Sequence, residues 1–218
     1  MNILPRTFNS ELIQRDYSRV AWTYNFWSRL TESKAAEKAL EMAEIQDGEN
    51  ILEVAVGTGI MFEEMVKRNQ SGKTVGIDLS SGMLGRAVRR LAKHNSNHFY
   101  FNCANAFYLP FKEKQFDLVV NNYMFDLLPE EKFEAILVEF KRVLRSSGKV
   151  VITTMAYGEN WFNKFWGWLT RISPRVLTGC RPVLIKTYLE KAGFSDIVAV
   201  QISQNTFPSE VLRAESKS

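Results

Sequence analysis

The tightest constraint on this chain is the stretch ILEVAVGTGI at 51–60, followed by VGID at 75–78. An apolar run enters a glycine turn and then a helical pattern. A second apolar run ends on an acid, Asp78, 25 residues after Glu53. Gly57 and Gly59 let the backbone approach a ligand with no side chain in the way. An acid at the tip of the next strand can accept hydrogen bonds from both hydroxyls of a ribose. A G-x-G alone is also what an ordinary strand-to-helix turn carries. The acid that follows it turns the reading toward a nucleoside site.

The pattern then repeats along the chain. Strands are predicted at 50–55, 73–78, 99–103, 116–121 and 149–154, and helices at 33–44, 59–68, 80–94 and 129–144. An aromatic, polar stretch before them predicts a helix from 10 to about 19 and an ordered turn after it. Ser80 is a helix cap by type and place. Asp47-Gly48, Ser71-Gly72 and Ser147-Gly148 are turn signals. The run at 116–121 is nearly continuous in apolar residues, as in a parallel strand buried on both faces. Phe133, Ile136, Leu137, Phe140, Val143 and Leu144 recur at helical spacing. The alternation predicts one α/β domain, a doubly wound sheet with its ligand at the carboxyl ends of the strands. After a helix at 182–192, DIVAVQIS and TFPSEVLRA predict a hairpin, so one late strand runs antiparallel to the sheet.

Composition narrows the function. A chain of 218 residues, 45% hydrophobic and 24% charged, is long enough to bury a sizeable core. A net charge of +4 is too mild to argue for nucleic acid. Cys103 and Cys180 form neither a metal-ligand spacing nor a disulfide framework, so no metal is expected. The start, MNILPRTFNS, has no apolar core of a signal peptide, and no apolar run spans a bilayer. A cytoplasmic location follows as the expectation.

The motifs together resemble those of class I S-adenosylmethionine-dependent methyltransferases. Within them the chain is most similar to the ubiquinone/menaquinone-biosynthesis and phospholipid N-methyltransferase branch. The resemblance rests on SRVAWTYNFWSRL, ILEVAVGTG, VGIDLSSGML, NAFYLPFKEKQFDLVV, EFKRVLRSSGKVVI and YLEKAGFSDI, in that order, and covers nearly the whole chain. It implies a Rossmann-like fold, a seven-stranded, mostly parallel sheet with an antiparallel C-terminal hairpin strand and helices on both faces. It also implies a division into an N-terminal helical cap (1–45), a cofactor-binding core (46–155), a substrate-cover helix (156–181) and a C-terminal helix and hairpin (182–218).

By the same resemblance, S-adenosyl-L-methionine is the expected cofactor. Glu53, Ala55, Gly57 and Gly59 would wrap its methionine end, and Asp78 would hold the ribose. Leu79 and Met83 would pack on the adenine, with core packing at a helix start as the alternative. Asn105 stands where relatives usually have aspartate, and it can still accept through its side-chain oxygen. Ala106 would offer its backbone N–H, and Asn121 would cradle the sulfonium. Tyr24 would close over the cofactor, or simply pack the N-terminal helix. Ala55 replaces the family's usual glycine.

The cofactor class carries its own activated methyl group, so the protein has only to align a nucleophile and exclude water. Asp126 is the candidate base, at a place where relatives often carry histidine; a helix cap before Pro129 is the other reading. Trp27, Tyr123, Tyr157, Trp161 and Phe165 are expected at the acceptor. The aromatic and basic segment at 159–177 reads as core, as a greasy acceptor mouth that Trp22 and Phe26 help to complete, or as a weak peripheral contact with a membrane surface. The expected acceptor is a small, hydrophobic or amphipathic molecule, a quinone precursor or a lipid head group, with no nucleic-acid partner. Two other readings are a non-catalytic protein that binds S-adenosylmethionine or S-adenosylhomocysteine, and an NAD(P)-dependent oxidoreductase. The second is weakened by Phe62, which occupies the third glycine position of G-x-G-x-x-G.

Overall fold

A computed structural model describes residues 32–94, 97–157 and 181–217. The N-terminal helix, Trp22, Tyr24, Phe26 and Trp27, and the aromatic segment with Trp161 and Phe165 lie outside the described residues. The helices are α1 (Ser33–Ala43), α2 (Ile60–Arg68), α3 (Ser81–Leu91), α4 (Phe133–Val143) and α5 (Lys186–Lys191). The strands are β1 (Asn50–Val54), β2 (Lys73–Asp78), β3 (Phe99–Cys103), β4 (Phe116–Asn122), β5 (Leu144–Met155), β6 (Phe194–Gln204) and β7 (Phe207–Ser216).

They form one seven-stranded sheet in the order β3-β2-β1-β4-β5-β7-β6. β1 to β5 pair in parallel, and β7 runs antiparallel between β5 and β6. The expected mixed sheet with its late antiparallel strand is therefore present. Chain order reverses direction between β1 and β4, and ligands of open α/β sheets bind at such a reversal.

The strands are apolar at successive positions because each face of the sheet is covered. Ile51, Leu118 and Val151 belong to a core shared with α1, α2 and α3. Leu52, Val119 and Val150 belong to a second core, shared with α4 and α5. Adjacent residues point to opposite faces, so one strand feeds both cores. Fully burying a side chain such as Phe133 or Phe140 contributes about 1.5–3 kcal/mol.

Several boundaries differ from the sequence expectation. The Ser147-Gly148 turn lies inside β5 as a bulge, with Ser147 at φ 64°; pairing jumps from Phe116–Leu144 to Leu118–Lys149. The helix expected at 129–144 begins at Phe133, after a 3-10 turn at Glu130–Lys132. The helix expected to run to 94 ends at Leu91. The helix expected at 182–192 is limited to Lys186–Lys191, because the preceding backbone pairs elsewhere: Arg181 donates to the Asp126 carbonyl and Val183 to the Met155 carbonyl.

The hairpin between β6 and β7 turns through Asn205 and Thr206, both at positive φ, as two-residue hairpin loops require. Beside it, the Gln204 side-chain oxygen accepts from the Lys34 N–H at 2.7 Å and the Ser33 hydroxyl at 3.1 Å, tying the hairpin to the start of α1. Among the described residues no helix is long and apolar enough to cross a membrane.

Candidate functional site

A cleft opens at the carboxyl ends of β1, β2 and β4, over the point where strand order reverses. One wall is the glycine turn after β1. Val56 donates to the Ile77 carbonyl and Gly59 to the Val56 carbonyl, which folds the turn back on β2. Gly57 sits at φ 55°, and a β-carbon built on it meets nothing within 4 Å, so the turn leaves open space toward the cleft. Its N–H donates to Asp78 Oδ2 at 2.8 Å, while the Ser80 N–H donates to Asp78 Oδ1 at 2.8 Å. Burial raises the Asp78 carboxyl above its ordinary range, and these N–H groups partly offset the rise. The Ser80 hydroxyl caps α3 by accepting from Met83 N–H, as its residue type predicts.

Beyond Asp78, Leu79, Met83, Ala104, Asn105, Ala106 and Phe107 form an apolar slot. The Asn105 side-chain oxygen is taken by Phe107 N–H at 3.1 Å. Helix α4 holds the following loop in place. Arg142 donates to the Leu109 and Phe111 carbonyls, Glu139 accepts from Leu109 N–H, and the two side chains pair at 2.6 Å. The opposite wall is Asn122, Tyr123, Met124, Leu127 and Leu128. Phe125, in the 3-10 turn Phe125–Leu127, anchors that wall by packing edge-on to Phe133 and Phe140. The cleft has a cavity volume of about 160 Å³.

Ala55, Gly57, Asp78, Leu79, Met83, Asn105 and Ala106 line the cleft, and so does Tyr123. Tyr123 is left-handed at φ 51°, and its hydroxyl lies 2.8 Å from Ser209 Oγ. Three other residues expected at the cofactor do not line the cleft. Gly59 is the N-cap of α2 at φ 79°, where an added β-carbon would stand 3.0 Å from Ala87 Cβ; this glycine serves helix packing. Asn121 is fully buried, with its amide donating to the Val54 carbonyl at 2.8 Å. Strand β4 runs one residue further than expected, so Asn122 takes the place at the cleft. Glu53 lies buried behind the turn, and burial pushes its carboxyl well above the usual range; the nearby Asn122 side chain eases this only in part.

Asp126 does not line the cleft and does not cap α4. It is fully buried, its Oδ2 accepts from Met155 N–H at 2.9 Å, and its Oδ1 has no partner among the described residues. Burial pushes its carboxyl up to about 8; Glu32 adds to the rise, and the Met155 N–H and Arg181 oppose it. Tyr157 is 51% exposed, just past β5. Phe62 is buried against Phe101 with ring centroids 4.6 Å apart, so no dinucleotide phosphate can use a third glycine there.

Beyond the expected residues, the cleft takes Asn122, Phe107, Met124, Leu127 and Leu128. The run NNYMFDLL carried the signal, since a strand tip beside a ligand is where polar residues interrupt an apolar run.

The residues fit a nucleoside cofactor. They combine open backbone at Gly57, a two-oxygen acceptor at Asp78, an apolar slot and, at Asn122, a buried amide with neither atom partnered among the described residues.

The sequence profile of a family described as Methyltransferase domain matches residues 51–148. The chain is 30% identical over 148 residues to the demethylmenaquinone methyltransferase of Lactococcus lactis subsp. lactis (strain IL1403), covering 66% of this chain and 58% of that protein. It spans about half the length of the curated relatives it matches. The [4+2]-cyclase SpnF superposes with a TM-score of 0.75 at 16% identity, over 100% of this chain and 99% of that one. The phosphoethanolamine N-methyltransferase 2 of Haemonchus contortus, solved with S-adenosyl-L-methionine, superposes with a TM-score of 0.67 at 16% identity, over 85% of this chain and 53% of that one. At such identities the two structures speak to the fold.

Proposed function

We propose that the chain is a class I S-adenosylmethionine-dependent methyltransferase, as the methyltransferase-domain profile over residues 51–148 supports, and that it transfers a methyl group to a small, hydrophobic or amphipathic acceptor. The observation that carries this reading is the pairing of open space above Gly57 with the Asp78 carboxylate beside it. When bound, S-adenosyl-L-methionine supplies a methyl group on a positively charged sulfur. Asp78 accepts from the ribose hydroxyls with the lone pairs that Gly57 and Ser80 leave. Leu79, Met83, Ala106 and Phe107 enclose the base. Met124, Leu127 and Leu128 keep water from the same cleft, which leaves alignment as the main task of the protein.

The acceptor classes we propose are a quinone precursor and a lipid head group. The apolar far wall and the name of the Lactococcus lactis relative support the first. The name of the Haemonchus contortus neighbour supports an amine-bearing head group. A second reading, cofactor binding without methyl transfer, is favoured by Asp126, whose carboxyl is held by Met155 away from the cleft.

Calorimetric titration with S-adenosylhomocysteine, with NAD as control, tests the cofactor. Tight binding of the first alone is the expected result. Incubation with methyl-labelled S-adenosylmethionine and either demethylmenaquinone or phosphoethanolamine then tests the acceptor. Cofactor binding with no label transferred to either molecule would leave the second reading standing.

A further inference from the structure

A second groove lies between α2 and α3 and is lined by Thr58, Glu63, Arg86, Arg89, Arg90 and Lys93. Its volume is about 460 Å³, and it shares no lining residue with the nucleoside cleft. Four cations thus meet one carboxylate. That carboxylate is already engaged, because Glu63 faces Arg90 at 3.4 Å and His94 at 2.9 Å. Arg89 and Lys93 are exposed and pair with no acid among the described residues. The sequence supplies none nearby, since no aspartate or glutamate stands between Asp78 and Glu113.

The spacing makes the gathering unfavourable for the helix itself. Positions 86, 89, 90 and 93 are three and four apart, so they share one face of α3 and of the turn after it. Met83, Leu84, Ala87 and Leu91 are the buried face. Like charges at these spacings repel and weaken a helix. The helix dipole favours Arg89 and Arg90 in the last turn, but it gives no reason for Arg86 or for the lack of acids around it. A locally unfavourable arrangement that a fold retains marks a functional place.

The chemistry of the lining selects the ligand. Three of the four cations are arginines, whose planar forks match phosphate oxygens two at a time. One fork is fixed in advance: Arg90 Nε donates to the Thr58 carbonyl at 2.9 Å, and Nη1 to Glu63 at 3.4 Å. Arg89 and Lys93 supply the charge that is not neutralised within the groove. We propose that this groove binds the phosphate groups of a ligand other than the nucleoside in the cleft. The proposal does not depend on what the cleft holds.

The test is calorimetric titration of the full chain with inorganic pyrophosphate at low salt, with sodium chloride at equal ionic strength as control. Saturable binding of pyrophosphate is expected. The double variant Arg89→Gln, Lys93→Gln should weaken it about 10-fold or more, the size of lost hydrogen bonds to charged groups. Both side chains are exposed, so the melting temperature and the affinity for S-adenosylhomocysteine should stay at wild-type values. Flotation with phosphatidylglycerol vesicles, against phosphatidylcholine vesicles, identifies the source. Flotation with the first alone, lost in the variant, supports the groove with a lipid head group as its phosphate. Pyrophosphate binding without flotation supports it with a soluble ligand. Binding of neither probe, equal binding by the variant, or the same heat from sodium chloride would overturn the proposal and leave a solvated basic face.

Discussion

The Gly57 N–H donates to the Asp78 carboxylate at 2.8 Å, so the acid at the tip of β2 builds the glycine turn as well as facing the cleft. Ligand and fold therefore share the same two oxygens. Asp78→Ala should weaken S-adenosylhomocysteine binding by about 1.5–3 kcal/mol. Calorimetry on the variant checks this, and unchanged affinity removes Asp78 from the site. Because Gly57 and Ser80 lose their acceptor together, the melting temperature should fall as well.

Ala55 occupies the left-handed region at φ 62°. That conformation costs a residue with a β-carbon roughly 1–2 kcal/mol, and glycine loses about 0.5–1 kcal/mol of this advantage to its own flexibility. Ala55→Gly should therefore stabilise the protein slightly, by ~0.5 kcal/mol net. Urea titration measures the change. A clear loss of stability would mean that the Ala55 methyl group packs to real effect.

Gly59→Ala should destabilise, since the added β-carbon lands 3.0 Å from Ala87 Cβ in a residue already at φ 79°. Overpacking of this kind costs about 1–3 kcal/mol. The folded fraction should still bind S-adenosylhomocysteine with wild-type affinity. An affinity loss without a stability loss would return Gly59 to the ligand.

Asp126 gives a pH signature. Its carboxyl is raised from 3.8 to about 8 in the folded chain, so the folded state binds the proton more tightly than the unfolded state does. The stability linked to that proton is fully present below about pH 4 and is lost as pH rises through about 8. Asp126→Asn mimics the protonated acid and lacks this dependence. The melting temperature of the variant relative to wild type should rise from pH 4 to pH 8 and flatten above. Parallel curves across that range would show that Asp126 titrates normally.

Much of the fold was legible because the sheet is apolar on both faces. The start of β2 follows from the Ser71-Gly72 turn signal, and the structure places β2 and β3 where they were expected. Less legible were places where tertiary pairing overrides local pattern. Ser147-Gly148 reads as a turn, yet β4 on one side continues to pair across it and absorbs it as a bulge. Pro182 and Val183 carry helix-compatible context, but the Met155 carbonyl draws Val183 into an extended link. In the site, Gly57 and Gly59 look alike in a motif, and only the neighbour across the gap separates them: empty space for one, Ala87 for the other. The same holds for Asn121 and Asn122, whose roles depend on where β4 ends. The acid at 126 could be recognised as unusual, but that its partner is a backbone N–H on β5 is a long-range fact.

The bond from Gln204 to the start of α1 spans 170 residues of sequence. Helix α1 rests on β5, β6 and β7, so most of what buries it is made last. On the ribosome, α1 emerges early and must wait, with its apolar stripe of Ala35, Ala39 and Met42 uncovered, until the final hairpin is released. Closing so large a loop is slow compared with forming local helices. The β1–β4 half, with its parallel pairs and its cleft, can thus take shape during synthesis while one flank of the sheet is still bare. A growing chain halted before β7 leaves the apolar surface of that flank uncovered.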